Sequence, residues 1–237
     1  MTRHFMIPAF APLLLAAWAL GACSSNGDSS PESSGTGSLA PADTKTMSFF
    51  VSSQANTGNL GGLAGADKIC TQLATAAGVT GKTWHAYLSV ENDGTGKPVN
   101  AKDRIGNGPW VNSKGVSVAT NLAALSAMTD GNADLLLNEK GEKNPGQWAG
   151  SPTPVQHDIM TGSTLDGTLA AGTTCADWTS EAADIAGPTV GHSDGLGPMM
   201  NPAPPYNSWN SAHTAPNCSA AGLAMVGGAG RIYCFAQ

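Results

Sequence analysis

Five side chains able to bind a metal or move a proton fall in the second half of the sequence: His157 and Asp158 in "QHDIM", His192 and Asp194 in "GHSDG", and His213 in "SWNSAH". Imidazole and carboxylate together supply either metal ligands or an acid and a base. Three histidines are enough for a zinc site. Their separations show no short ligand spacing, so any such site has to be assembled by the fold. The competing expectation is that these groups tie down buried loop amides. "GHSDG" is also a literal G-x-S-x-G, the pattern in which a strand, a tight turn and a helix expose a nucleophilic serine. Pro198, Pro202, Pro204 and Pro205 follow it and forbid that helix. The match is attributed to the abundance of glycine, and no catalytic role is assigned to Ser193.

The beginning of the chain sets its compartment. Met6 to Leu20 is almost wholly apolar, and "LGAC" closes the run at Cys23. The run is short for a membrane span of roughly 20 residues. This reads as a signal segment over residues 1–22, with Cys23 as the lipidated residue. Ser24, in place of an acidic residue, points to the outer membrane. Residues 23–46 are rich in Ser, Gly and Pro without an apolar period, and read as a flexible tether. Residues 47–237 remain for one domain.

Charge is sparse and acidic, with 17 Asp plus Glu against 11 Lys plus Arg, so the basic face of a nucleic-acid binder is missing. The 30 glycines and 15 prolines describe a loop-rich globular domain. With Cys23 used by the anchor, Cys70, Cys175, Cys218 and Cys234 are left in an exported, oxidising context. Their even number predicts two disulfides, with three pairings open.

The elements that must position the candidate residues are legible mainly at the two ends of the domain. "MSFFVSS" predicts an opening strand. Ala66, Ile69, Cys70, Leu73 and Ala77 recur at helical spacing before Gly78, which predicts an amphipathic helix. "TWHAYLSV" alternates and predicts a half-buried strand over residues 83–90. Hairpins are expected around Lys114–Gly115 and Lys140–Gly141. Beyond Gly162 regular periodicity is lost until "GRIYCFAQ", which predicts a closing strand.

A cysteine-bearing helix, a strand, a long loop-rich interior and a cysteine-bearing final strand resemble the C-type-lectin-like fold. "CTQLATAAGVTGKTWHAYLS", "CADWTSEA" and the closing cysteine pair resemble more narrowly the endostatin domain of collagens. "FFVSSQANTGNLGGLAGADKIC" resembles bacterial endostatin-like lipoproteins. The resemblance implies an α+β fold with nested disulfides, Cys70 with Cys234 and Cys175 with Cys218. It also directs attention to Trp209 and Asn210, which match the Trp-Asn-Asp tripeptide that feeds calcium in lectins of this fold. Ser211 stands in place of the aspartate, which weakens a calcium site. Endostatin's zinc histidines lie near its start, and this domain has none before His85, so that site is not carried over. Heparin binding is not carried over either, because Arg104 and Arg231 are the only arginines of the domain.

The expectation is therefore a non-catalytic, surface-anchored recognition module. Its ligand would be a host or matrix protein, or alternatively a glycan with calcium assistance; an envelope structural role and serine hydrolysis rank below these. The loops from Asp158 to Ala215 form the expected binding face. Candidate contact residues are His157, Asp158, His192, Asp194, Trp209, Asn210 and His213. Trp148 and Tyr206 are the expected exposed aromatics.

Overall fold

The computed structural model describes residues 46–237; the expected signal segment, Cys23 and the tether up to residue 45 lie outside the described residues. Its strands, numbered in chain order, are β1 (Phe49–Val51), β2 (Trp84–Ala86), β3 (Trp110–Val111), β4 (Ser117–Ala119), β5 (Asp158–Met160), β6 (Thr189–His192), β7 (His213–Thr214) and β8 (Gly228–Ala236). The architecture is mixed α+β. β8 is the axis: β1 and β2 flank its second half antiparallel, and β5 runs parallel to its first half. β6 and then β7 extend the sheet from β5, both antiparallel.

The alternation read in "GRIYCFAQ" divides the interior in two. Ile232, Cys234 and Ala236 face one core with Phe50, Trp84 and Trp178. Tyr233 and Phe235 face the other with Phe49, Trp110 and Trp209. Helix α1 (Gly62–Ala76) covers the first, burying Ala66, Cys70 and Ala74. It stops where expected, with Gly78 at φ 85° in the left-handed region that glycine tolerates. Cys70 joins Cys234 and Cys175 joins Cys218, so the outer bond ties α1 to β8. Cys175–Trp178 forms a single turn with every φ positive, and Trp178 Nε1 donates to the Ser89 carbonyl at 2.8 Å.

Two of three local expectations need correction. The strand expected over residues 83–90 keeps its ladder to β8 only at Trp84–Ala86. Tyr87 and Ser89 are buried as well, because the second core covers the face that alternation assigned to solvent. The hairpin around Lys114–Gly115 is present as β3 and β4. Around Lys140–Gly141 there is instead a tight turn: the Asn138 side-chain oxygen accepts from the Lys140 and Glu142 amides and replaces a strand ladder. Among the described residues no helix is long and apolar enough to cross a membrane.

Candidate metal centre

Sheet register brings the candidate residues together. Asp158 of β5 lies directly opposite His192 of β6, and His213 of β7 lies opposite Val190, two residues from His192 and on the same face. His157 enters from the residue preceding β5. The β5–β8 register shifts between Asp158 and Ile159, the kind of irregularity that re-aims a side chain. Gly191 is required beside the site: a β-carbon there would overlap the Trp209 carbonyl crossing over it.

The result is a carboxylate surrounded by imidazoles. His157 Nε2 and His192 Nε2 each lie 3.3 Å from Asp158 Oδ1, and His213 Nε2 lies 3.4 Å from Oδ2. These are poor hydrogen bonds. The two distances to Oδ1 match the edge of a tetrahedron whose metal–ligand bonds are about 2.0–2.1 Å, which is about 3.3 Å; His213 meets the other oxygen and lies outside that set. The ligand atoms of His157, Asp158 and His192 all lie within 4.8 Å of one another.

The outward nitrogens fix the tautomers. His192 Nδ1 is 2.8 Å from the Tyr206 carbonyl, which only accepts, so Nδ1 carries the proton and Nε2 presents a lone pair. His157 Nδ1 is 2.7 Å from Asp194 Oδ1. Burial pushes the Asp194 carboxyl up, but its bond to His157 and the amides of Gln147 and Leu196 outweigh that and hold it below the ordinary carboxylate range. His157 therefore donates to a carboxylate through Nδ1. A carboxylate or carbonyl behind each imidazole is the arrangement that orients metal ligands.

Electrostatically the centre is unsatisfied as it stands. Asp158 Oδ1 and Oδ2 and His192 Nε2 are buried without a hydrogen-bond partner. Burial pushes Asp158 up to about 7, with the Asp194 charge adding to it against the opposing pull of His157. Burial, and then the neighbouring His157 and His213, push His192 down to about 3. Burial also lowers His213. Lone pairs facing an orphaned carboxylate are mutually unfavourable unless a cation lies between them.

The seven candidates divide cleanly. His157, Asp158 and His192 bring their ligand atoms together, His213 approaches only the other Asp158 oxygen, and Asp194 holds His157 from behind. Trp209 and Asn210 lie elsewhere. Trp209 packs in the second core against Tyr87 and Tyr233. Asn210 is buried, accepting from Ser208 and donating to the Tyr87 hydroxyl and the carbonyls of Thr164 and Leu165. Its amide is thus consumed by the protein, and the donor set that does converge is nitrogen-rich, where calcium requires six to eight oxygens. The calcium expectation is set aside on both grounds. Ser193 is buried and the segment after it forms only the 3-10 turn Pro198–Met200, as the prolines predicted. Trp148 is half-buried, with Nε1 on the Asn144 carbonyl. Tyr206, expected exposed, is half-buried as well, and the role of its backbone carbonyl has no sequence signal.

Asp194 also ties down loop backbone, since Oδ2 accepts from the Gln147 amide at 2.6 Å. Asp194→Asn is expected to lower zinc affinity about 10–100-fold, measured by competition with a chelating indicator. An unchanged affinity would show that Asp194 serves the loop alone. No protein-family model matches this chain and no curated protein matches its sequence.

Proposed function

We propose that the domain is a recognition module built around a transition metal, zinc in the first instance, held by His157, Asp158 and His192. The observation that carries this reading is the approach of the His157 and His192 Nε2 atoms to the unpartnered Asp158 Oδ1, each at a tetrahedral-edge distance. Imidazole with one carboxylate suits zinc and its first-row neighbours. The scaffold reading is C-type-lectin-like and endostatin-like, supported by the nested disulfides and by the adjacency of β1 to β8. With Cys23 as a lipid anchor and the tether behind it, the module would be displayed at a membrane surface and engage host or matrix proteins, with glycans as the second class.

The test is metal content. Full-length chain dialysed against zinc and then against metal-free buffer should retain one equivalent by elemental analysis. His157→Ala and His192→Ala should each weaken binding at least about 100-fold. Wild-type chain that retains no zinc, cobalt or copper would sink the proposal. Zinc-loaded chain that hydrolyses p-nitrophenyl acetate faster than free zinc would replace recognition by metal-activated hydrolysis.

A further inference from the structure

We infer that the Cys175–Cys218 cystine is a redox-active site, opened by an uncharged or cationic thiol through the cavity beside Cys175, and that its opening relaxes the turn that begins there. The Cys70–Cys234 bond is structural and survives the same reductant. Neither statement depends on the metal reading above.

The two cystines differ in what covers them. Cys70 and Cys234 are fully buried, one beneath α1 and the other in β8, where Cys234 lies opposite Phe50 of β1 and Ala86 of β2. A reductant reaches that pair only after a helix or a strand has lifted. Cys175 instead borders a cavity of about 230 Å³, together with Gly172, Ile185 and the carboxylate-bearing Glu91 and Asp177. Attack therefore falls on Cys175 Sγ, because thiol–disulfide exchange depends on which sulfur the entering thiolate can reach.

Backbone strain gives the inner bond a reason to open. Cys175, Ala176, Asp177 and Trp178 have φ of 50°, 52°, 54° and 65°. Left-handed backbone is disfavoured for residues with a β-carbon, and is ordinarily visited by single residues rather than runs. Trp178 holds the far end of the turn through its Nε1 bond to the Ser89 carbonyl, and the Asp177 carboxylate holds the middle by accepting from the Glu91 and Asn92 amides. At the start of the turn the cystine is the tie. Opening it lets Cys175 and Ala176 return to right-handed or extended backbone.

The open form has a place for its new thiol. A thiolate attacking Cys175 Sγ forms a mixed disulfide and expels Cys218 Sγ, which takes up a proton. That sulfur lies 3.2 Å from the Ala186 carbonyl, an acceptor for the S–H. A second thiol then displaces Cys175, so two thiols become one disulfide while the cystine gains two electrons and two protons. Charge selects the reductant: Glu91 and Asp177 line the cavity, and its lining residues include no Lys or Arg, which disfavours an anionic thiol.

The experiment exposes oxidised full-length chain to dithiothreitol under native conditions, then alkylates it and maps the peptides. Cys175 and Cys218 should label together, at least about tenfold faster than Cys70 and Cys234, while the far-ultraviolet circular dichroism is retained. Cysteamine, a cation, should open the inner bond faster than the anion 2-mercaptoethanesulfonate at equal thiolate concentration. Ala176→Gly, which accepts left-handed backbone without strain, should require an about fivefold higher ratio of reduced to oxidised dithiothreitol at its midpoint. Equal rates for the two pairs, inner labelling only as the dichroism is lost, or the reverse order of the two charged thiols would overturn the inference. An unchanged midpoint in Ala176→Gly would do so too, because relaxation of the turn would then contribute nothing.

Discussion

Asp158→Asn is expected to raise the melting temperature of the metal-free protein and to abolish its zinc binding. In the metal-free fold the carboxyl is raised by burial from 3.8 to about 7. A raised folded value means that its contribution is intact below pH 3.8 and is lost progressively as pH climbs to about 7. That interval corresponds to on the order of 4 kcal/mol at neutral pH and above. Asparagine does not titrate, and its amide can donate to the lone pairs of His192 or His213, which now oppose an acceptor. Part of the gain is offset by fixing that amide, leaving about 2 kcal/mol, or roughly 4–8 °C in Tm at pH 8.

The pH dependence identifies the source. The advantage of Asp158→Asn should vanish near pH 4 and be complete by about pH 8. His192, held down to about 3, contributes in the opposite sense: stability present above its ordinary 6.5 and lost on acidification. That contribution is common to both proteins and cancels in their difference. Excess zinc should then invert the ranking, because only the wild type gains binding energy. Calorimetric scans across pH, with and without zinc, check every part of this. A variant less stable than wild type at pH 8 without metal would make Asp158 an ordinary structural residue.

The second large effect concerns the outer disulfide. Cys70 and Cys234 are separated by 164 residues and Cys175 and Cys218 by 43. On the loop-entropy argument, opening the first costs about 5 kcal/mol and the second about 4 kcal/mol. Against a typical total stability of about 5–15 kcal/mol, the Cys70→Ala/Cys234→Ala pair should leave a domain close to unfolding at room temperature. Urea titration should place its midpoint below that of Cys175→Ala/Cys218→Ala. The opposite order would show that the inner bond holds a segment whose native contacts are much weaker than its burial suggests.

What could be read from the sequence follows from how local each signal is. α1 and β8 carry their periodicity and their cysteines in single short runs, and both appear where the pattern placed them. The nested pairing came from resemblance, since cysteine number alone left three choices. The candidate centre was legible only as an inventory of residue types. Its carboxylate and imidazoles come from β5, β6, β7 and the residue before β5, and β6 and β7 are four and two residues long. Strands that short, one of them interrupted by Gly191, carry no measurable period, so the register that aligns Asp158 with His192 could not be foreseen. Asn210 misled for the complementary reason: a tripeptide match says nothing about whether the side chain has already spent its hydrogen bonds on Tyr87, Thr164 and Leu165.

The inner disulfide encloses residues 175 to 218, and so encloses His192 and His213 but neither His157 nor Asp158. The centre is thus stitched between a covalently closed loop and the chain outside it. Cleaving that bond would free the loop that carries His192, and an ion bound across the two parts would resist the same separation. If the proposed ion binds, its occupancy and thiol oxidation are thermodynamically coupled in both directions: a reducing environment would loosen the ion, and the ion would make the cystine harder to reduce.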